Sequence, residues 1–356
     1  MIENLISKSN AQLTKGFLKS SPVVLSSRLR LARNLNDFVF PSKASSADKS
    51  EILNKVEKSL SDKPNFKKGF FYKINTLSDL EKRLLVERHL ISRELCEMNE
   101  GSGVFISSNQ DFSVMINEED HIRLQCIKNG FNLNALWKTV NRFDDLMEAS
   151  LPYSFSKELG YLTACPTNLG TGLRASVMMH LPGLFISENI DKVIRASNQL
   201  GLAVRGLFGE GSEASGHIYQ ISNQQTLGET EGEILSRLGG VLKNIIEHEL
   251  NARQNYFADK KVVLLDKISR ALGILRNAHV MSSEEAMDHL SYMRLAVDLG
   301  FLADEYRALV DYMFIQTQPG HIQFPEGSIS VELRDEKRAQ KLRENFRKIP
   351  PLNFDN

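Results

Sequence analysis

The stretch Cys165-Pro166-Thr167-Asn168-Leu169-Gly170-Thr171-Gly172-Leu173-Arg174-Ala175 decides how this 356-residue chain is read. A cysteine, a proline, two glycines and small polar residues make a tight, non-helical loop whose backbone N–H groups can turn inward. Residues 160–164 before it read as a short strand, and residues 174–181 after it read as the first turns of a helix. A thiol at such a junction sits near a helix N-terminus, where its thiolate is stabilised and anions can bind. The plain alternative is a buried structural cysteine in an ordinary turn.

Working outward, residues 23–31 alternate apolar and charged side chains over their second half, a strand signal. Residues 46–60 and 76–90 read as helices, the second opened by a capping box of Ser78 and Glu81. Residues 66–74, 103–108, 112–117 and 121–128 read as strands, with Asn109-Gln110-Asp111 as a hairpin connection. An amphipathic helix is expected over 133–150, then a strand pair, 202–208 and 217–222, around a glycine-rich loop, 209–216. Beyond Gly228 helical periodicity takes over, in 229–254, 259–277, 283–300, 304–317 and 332–348. The fold class is therefore α+β to about residue 255, followed by an all-helical domain over 256–356. Consecutive strands with short connections favour an antiparallel sheet. Residues 1–20 carry no strong pattern and read as an arm.

Forty-four basic and 44 acidic residues give a formal net charge of zero, which argues against nucleic acid as the main ligand. No apolar run approaches the ~20 residues of a membrane span, and the first residues lack signal-peptide architecture. Cys96, Cys126 and Cys165 are odd in number and far apart, so no disulfide framework is expected. A cytoplasmic protein with reduced thiols is the simplest expectation.

Arg28 and Arg30 stand two apart on a strand and share a side. They are either part of an anion site or a solvated face. Arg123, Arg174 and Arg205 stand beside other motif-like stretches, and planar guanidinium groups bind phosphate oxygens bidentately. There is no G-x-x-x-x-G-K-[ST] loop and no H-R-D or D-F-G set. If the chain binds ATP, arginines must do the work of a P-loop lysine. Asn117-Glu118-Glu119-Asp120-His121 is either a divalent metal site or a set of surface hairpin acids, and Glu210 stands in the glycine-rich loop with Glu213 three residues on. Gly170–Ala175 satisfies G-x-G-x-x-A, but a dinucleotide site needs the first turn of a parallel βαβ unit, which is not expected here.

The Cys165 string, Asn117-Glu-Glu-Asp-His-Ile-Arg123, Arg205-Gly-x-x-Gly-Glu210, Ser26-Ser-Arg-Leu-Arg30 and Ile221-Ser-Asn-x-x-x-Leu-Gly228 resemble the phosphagen (guanidino) kinases. The resemblance implies a catalytic domain within 1–255, with an antiparallel sheet flanked by helices. It assigns Glu119, Asp120, Glu210 and Cys165 to catalysis. The nucleotide site it implies comprises Ser26, Ser27, Arg28, Leu29, Arg30, His89, Arg123, Arg174, Ala175, Ser176, Val177, Met178, Arg205, Gly206, Leu207, Phe208, Gly209 and Glu210. ATP is the implied cofactor, with Mg2+ carried mainly by the nucleotide phosphates rather than by protein ligands.

Ordinary members begin with a small helical domain that is not expected here, since Ser-Ser-Arg-Leu-Arg already starts at Ser26. Arg334-Asp335-Glu336-Lys337-Arg338-Ala339 is similar to the R-D-x-x-R-A motif of the bacterial protein-arginine kinase branch. That branch implies phosphorylation of protein arginines as a mark for quality control and degradation in the stress response. It also implies an allosteric phosphoarginine site at Arg334, Asp335 and Arg338, a homodimer, a McsA-like activator and a Clp protease system as partners. Alternatives are a kinase of free arginine or a related guanidino metabolite, and a non-catalytic phosphoarginine-binding adaptor. Intact Cys165, Glu119 and Glu210 count against the adaptor.

Overall fold

The structure, a computed structural model, describes residues 2–6, 22–61, 63, 68–206, 215–324 and 326–354. The expected N-terminal arm lies mostly outside the described residues, as do residues 207–214 of the glycine-rich loop. The chain divides into two compact units. Of the described residues, the first holds 26–176 and 222–239 with the N-terminal helix; the second holds 22–25, those of 177–221, and 240 onward.

The first unit runs α1 (Glu3–Ile6), β1 (Val24–Arg33), α2 (Ser46–Ser61), β2 (Phe70–Lys73), α3 (Asp79–Glu87), α4 (Arg93–Cys96), β3 (Gly103–Ile106), β4 (Phe112–Ile116), β5 (Ile122–Asn129), α5 (Leu133–Glu148), β6 (Phe155–Ser156) and β7 (Gly160–Tyr161). The capping box of α3 forms as expected, with Ser78 and Glu81 each bonding the other's backbone N–H. Strands β2, β3, β4, β5 and β1 pair antiparallel in that spatial order.

Register sorts the side chains, because directly opposed residues share a face. Leu29, Leu31 and Arg33 oppose Cys126, Leu124 and Ile122 on one face. Helix α5 covers that face with Leu136, Val140 and Phe143, all buried, and Phe143 packs on Phe112 at 5.5 Å. Each such side chain contributes roughly 1.5–3 kcal/mol. One charge sits in this layer: Arg33 is 1% exposed and donates from Nε (3.0 Å) and Nη2 (2.7 Å) to Asp144 of α5. Breaking such a buried pair by removing one partner costs about 3–5 kcal/mol.

The chain then enters β8 (Leu173–His180), where a helix was expected. Every β8 residue but Arg174 is buried, and a strand buried on both faces reads as an apolar run that periodicity cannot distinguish from a helix. Next come α6 (Pro182–Ile186), α7 (Ile190–Gln199), β9 (Leu202–Gly206) and β10 (Ile218–Asn223). The full sheet order is β2-β3-β4-β5-β1-β8-β10-β9.

The expected helices over 229–254 and 259–277 form one run, α8 (Glu231–Asn277), whose first residues to Gly239 belong to the first unit and the rest to the second; it is broken at Lys260, whose φ of −134° and ψ of 38° are not helical. Helices α9 (Ser283–Asp298), α10 (Arg307–Gln316), α11 (Pro319–Gln323) and α12 (Val331–Phe346) follow. Leu272, Leu290, Met293, Val310 and Phe346 lie in their shared core. A buried ionic cluster crosses it: Asp298 accepts from Arg253 (2.7 Å), Arg307 (2.5 Å) and Arg294 (3.4 Å), and Arg294 also reaches Asp311 (3.0 Å). Burial pushes the Asp311 carboxyl up to about 6 against the pull of Arg294.

Candidate active site

The second face of the first unit's sheet carries the arginines. Arg28 and Arg30 alternate with Leu29 on β1, and Arg123 opposes Ala32 on the same face. The first half of β8 joins them, since Arg28 Nε donates to Ser176 Oγ (3.3 Å) and Arg174 Nη2 donates to Ser222 Oγ (3.3 Å). Four guanidinium groups therefore crowd one surface. Burial, then repulsion by Arg174 and Arg123, brings Arg28 down to about 10. Arg30 falls further, through burial and then Arg28, Arg123 and Arg174, despite the pull of Glu118. Its Nε is buried with no hydrogen-bond acceptor. His89 adjoins this face: its carbonyl accepts from Gln125 Nε2 (2.7 Å), and burial plus Arg28 hold its ring down to about 3, hence neutral. Cations concentrated on one face fit a polyphosphate, one of whose oxygens would supply the acceptor that Arg30 Nε lacks.

The acidic tract diverges. Asn117, at φ 55°, turns β4 into β5 while its amide holds Lys49 O (2.8 Å) and Gly101 O (2.6 Å). Glu118 is buried, accepts from Ser92 (2.7 Å) and Arg123 (2.7 Å), and is raised by burial. Asp120, 1% exposed, accepts from Asn34 Nδ2 (2.6 Å) and Ala164 N (2.7 Å). His121 accepts from Leu35 N at Nδ1 (3.0 Å), so its Nε2–H donates to Val39 O (2.9 Å). Glu119 differs from the others. Its side chain is 40% exposed, and it accepts from Arg123 Nη2 (3.1 Å) and Asn168 Nδ2 (3.4 Å). The three acids do not converge on one point, and the described residues hold no cluster of three or more His, Cys, Asp and Glu side chains placed to bind a metal ion.

Asn168 belongs to the cysteine loop, so the loop and Glu119 meet. Pro166–Asn168 is a single 3-10 turn with Cys165 just before it, and β8 follows. The sequence-expected helix N-terminus beside the thiol is replaced by this turn, whose three residues carry no macrodipole comparable to that of a full helix. The loop is tied at each end and in the middle. Asp120 holds Ala164 N, and Thr163 Oγ1 donates to Cys165 O (2.8 Å). The Thr226 hydroxyl lies 2.6 Å from Leu169 O and 3.1 Å from Thr167 O, while Arg33 Nη1 donates to Thr171 O (2.9 Å). A Cβ at Gly160 would stand 2.5 Å from Gly170 O, so only glycine admits this approach. Cys165 Sγ is partly exposed and 3.1 Å from Thr167 Oγ1.

Alternation divides the remaining expected residues. Ser27, Leu29, Ala175 and Val177 point away from the arginine face; Ser27 Oγ instead bonds Gly130 O (2.7 Å), and Ala175 N bonds Asn223 Oδ1 (2.8 Å). Ser26 shares the arginine face and is buried. Met178 lies in the core of the second unit. Arg205 and Gly206 end β9 in that unit, and Leu207, Phe208, Gly209 and Glu210 lie outside the described residues. Arg338 of α12, 1% exposed, donates to Thr317 O (2.8 Å), Met281 O (2.7 Å) and Asp335. It braces the fold, leaving Arg334 and the outer side of Asp335 partly exposed. Sequence reading missed Arg33, Asn34, Ser92 and Thr226 as supports. Thr226 lay in a stretch already marked, 221–228, and Ser92 three residues after His89.

Residues 51–252 match the family model of the ATP:guanido phosphotransferase C-terminal catalytic domain, and residues 261–356 match that of the protein-arginine kinase McsB C-terminal domain. The chain is 42% identical over 343 residues to the protein-arginine kinase of Halothermothrix orenii, covering 96% of this chain and 98% of that one. It is 45% identical over 329 residues to the protein-arginine kinase of Bacillus subtilis, covering 92% and 90%. Among solved structures, a lombricine kinase matches with a TM-score of 0.60 at 25% identity, over 69% of this chain and 71% of that one. Two adjoining domain matches and near full-length likeness agree with the arginine-lined sheet and the cysteine loop: this chain belongs to the protein-arginine kinase family of ATP:guanido phosphotransferases.

Proposed function

We propose that this protein transfers the γ-phosphoryl group of ATP to arginine side chains of proteins. The observation that carries the reading is the four-arginine face with one open carboxylate, Glu119, hydrogen-bonded to the loop that presents Cys165. Arg28, Arg30, Arg123 and Arg174 would hold the phosphates, with Arg205 joining them by resemblance. Positioning and electrostatics dominate phosphoryl transfer. An arginine side chain is a cation and a poor nucleophile. Glu119 would accept its N–H groups and take one proton as the N–P bond forms and the O–P bond to ADP breaks. Cys165 as thiolate would polarise the target guanidinium, and Glu210 would clamp it. Asp120 would act on the loop rather than on substrate. Because the acids of residues 118–120 point three ways, Mg2+ would travel on the nucleotide.

The catalytic part is assigned to residues 1–255 and a regulatory helical part to 256–356, supported by the break at Lys260 and the second family match from residue 261. Homodimer formation, an activator of McsA type, delivery of marked proteins to a Clp protease and a stress-response role are further proposals from the same likeness. Three free thiols support a cytoplasmic setting, and no described helix is long and apolar enough to cross a membrane.

The main test offers Mg-ATP with an arginine-rich unfolded protein or with free arginine, scored for acid-labile N-phosphate. Labelled protein with little free-arginine turnover is expected. Brisk phosphorylation of free arginine with unlabelled protein would refute the reading in favour of a metabolite kinase, and no ATP turnover at all would favour the adaptor.

The second-site proposal is tested at Arg334 alone, since Asp335 is engaged by Arg338. Losing a charge-assisted bond worth about 1.5–3 kcal/mol should weaken phosphoarginine binding at least about tenfold by calorimetry. Unchanged affinity would reduce the motif to a charged helix face.

A further inference from the structure

Helix α1 is four residues long, Glu3–Ile6, too short to persist alone in water. Contacts inside the first unit hold it in place. Ile2 and Leu5 are buried, and the carbonyls at the helix end, which have no intrahelical partner, are taken by side chains. Gln110 Nε2 donates to Leu5 O (2.8 Å). Arg88 donates to Ile6 O from Nη2 (2.7 Å) and to Leu5 O from Nη1 (3.4 Å). Arg88 Nη1 also donates to Gln110 Oε1 (3.1 Å). Helix α1 therefore ties the turn after α3 to the turn between β3 and β4.

Both tied turns are conformationally demanding. His89 has φ 56° and Gln110 has φ 59°, left-handed backbone that residues other than glycine keep where the surroundings over-determine it. His89 directly follows Arg88, and its ring feels the charge of Arg28. Its carbonyl accepts from Gln125 Nε2 (2.7 Å), and Gln125 of β5 opposes Arg30 of β1. The turn is thus fastened on one side to the arginine face and on the other to α1.

We infer that Leu5, Arg88 and Gln110 are positioning residues for ATP: docked α1 fixes Arg88, and Arg88 fixes the left-handed turn that sets the His89 ring beside Arg28. The inference rests on the reading that the arginine face, with His89, binds the nucleotide. It gives residues 2–6, which carry no motif, a part in nucleotide affinity.

The test uses the full-length chain and measures Mg-ATP affinity by calorimetry, kcat with an arginine-rich unfolded protein, and thermal unfolding without nucleotide. The variants are Leu5→Asp, Leu5→Met, Gln110→Asn, His89→Ala and the pair Leu5→Asp with His89→Ala. A carboxylate at residue 5 has no partner to stay buried with, so α1 undocks. Methionine conserves volume and keeps it docked, so Leu5→Met should bind ATP within about twofold of the wild type. Leu5→Asp is expected to bind ATP about tenfold more weakly, the effect of one lost hydrogen bond. Its kcat at saturating ATP should stay within about twofold, which a general loss of folded enzyme would not allow. The paired variant should bind no more weakly than His89→Ala, because both changes act through one ring. Asparagine at residue 110 tolerates left-handed backbone but falls short of Leu5 O, so it should weaken ATP about threefold. A lower melting temperature with unchanged ATP affinity in Leu5→Asp would mean that α1 only braces the fold, and overturns the inference. Where Leu5→Asp does not fold, unchanged affinity in Gln110→Asn does the same. Losses that add fully in the paired variant also overturn it. Unchanged ATP affinity in His89→Ala overturns instead the reading on which it rests.

Discussion

Glu119→Gln is expected to lower kcat for arginine phosphorylation by about 10²–10⁴-fold, the range for losing a general base. The replacement is isosteric and the side chain is 40% exposed, so no buried void or orphaned charge should follow. Its two partners, Arg123 and Asn168, can still bond the amide oxygen. ATP affinity should hold or tighten, because Arg123 loses one of its two carboxylates while keeping Glu118. Steady-state kinetics and nucleotide calorimetry check both halves. An enzyme with near wild-type kcat would sink the assignment of Glu119 as base and return the role to another group.

Arg30→Met should do two opposite things. Arg30 is partly buried, its Nε lacks an acceptor, and Arg28, Arg123 and Arg174 all repel it. A hydrophobic side chain of similar volume removes that repulsion and the cost of burying a charge, so thermal stability without nucleotide should rise. Activity should fall by about 10³-fold or more, as when an arginine that stabilises transferring phosphate is lost. The stabilisation that ATP gives the wild type should shrink in parallel. Thermal unfolding with and without Mg-ATP, alongside kcat, reads all three. A variant less stable than wild type yet active would mean that Arg30 braces the sheet and does not serve a phosphate. The pairing of lost function with gained stability is the signature of a site held charged for its ligand.

Much of this could be read along the chain, because it depends on local spacing. Period-two alternation marked Arg28 and Arg30 as neighbours on one face, and Ser78 with Glu81 announced the start of α3. The Cys165 signature and the residue types around it pointed to guanidino chemistry before any fold was known. Where burial decides, the sequence misled: β8 has covered faces on both sides, so its apolar run lost the alternation that identifies a strand. The tertiary structure also separated residues that adjacency in sequence makes look alike. Glu118, Glu119 and Asp120 are consecutive acids, yet two are committed to buried partners and one stays open. Arg334 and Arg338 fall on one helical face by spacing, yet Arg338 spends its donors on Thr317 and Met281. Local sequence determines backbone preference and which side chains lie together on an element. Which of them keeps a free charge depends on long-range neighbours that satisfy or repel it, and only the packed chain supplies those.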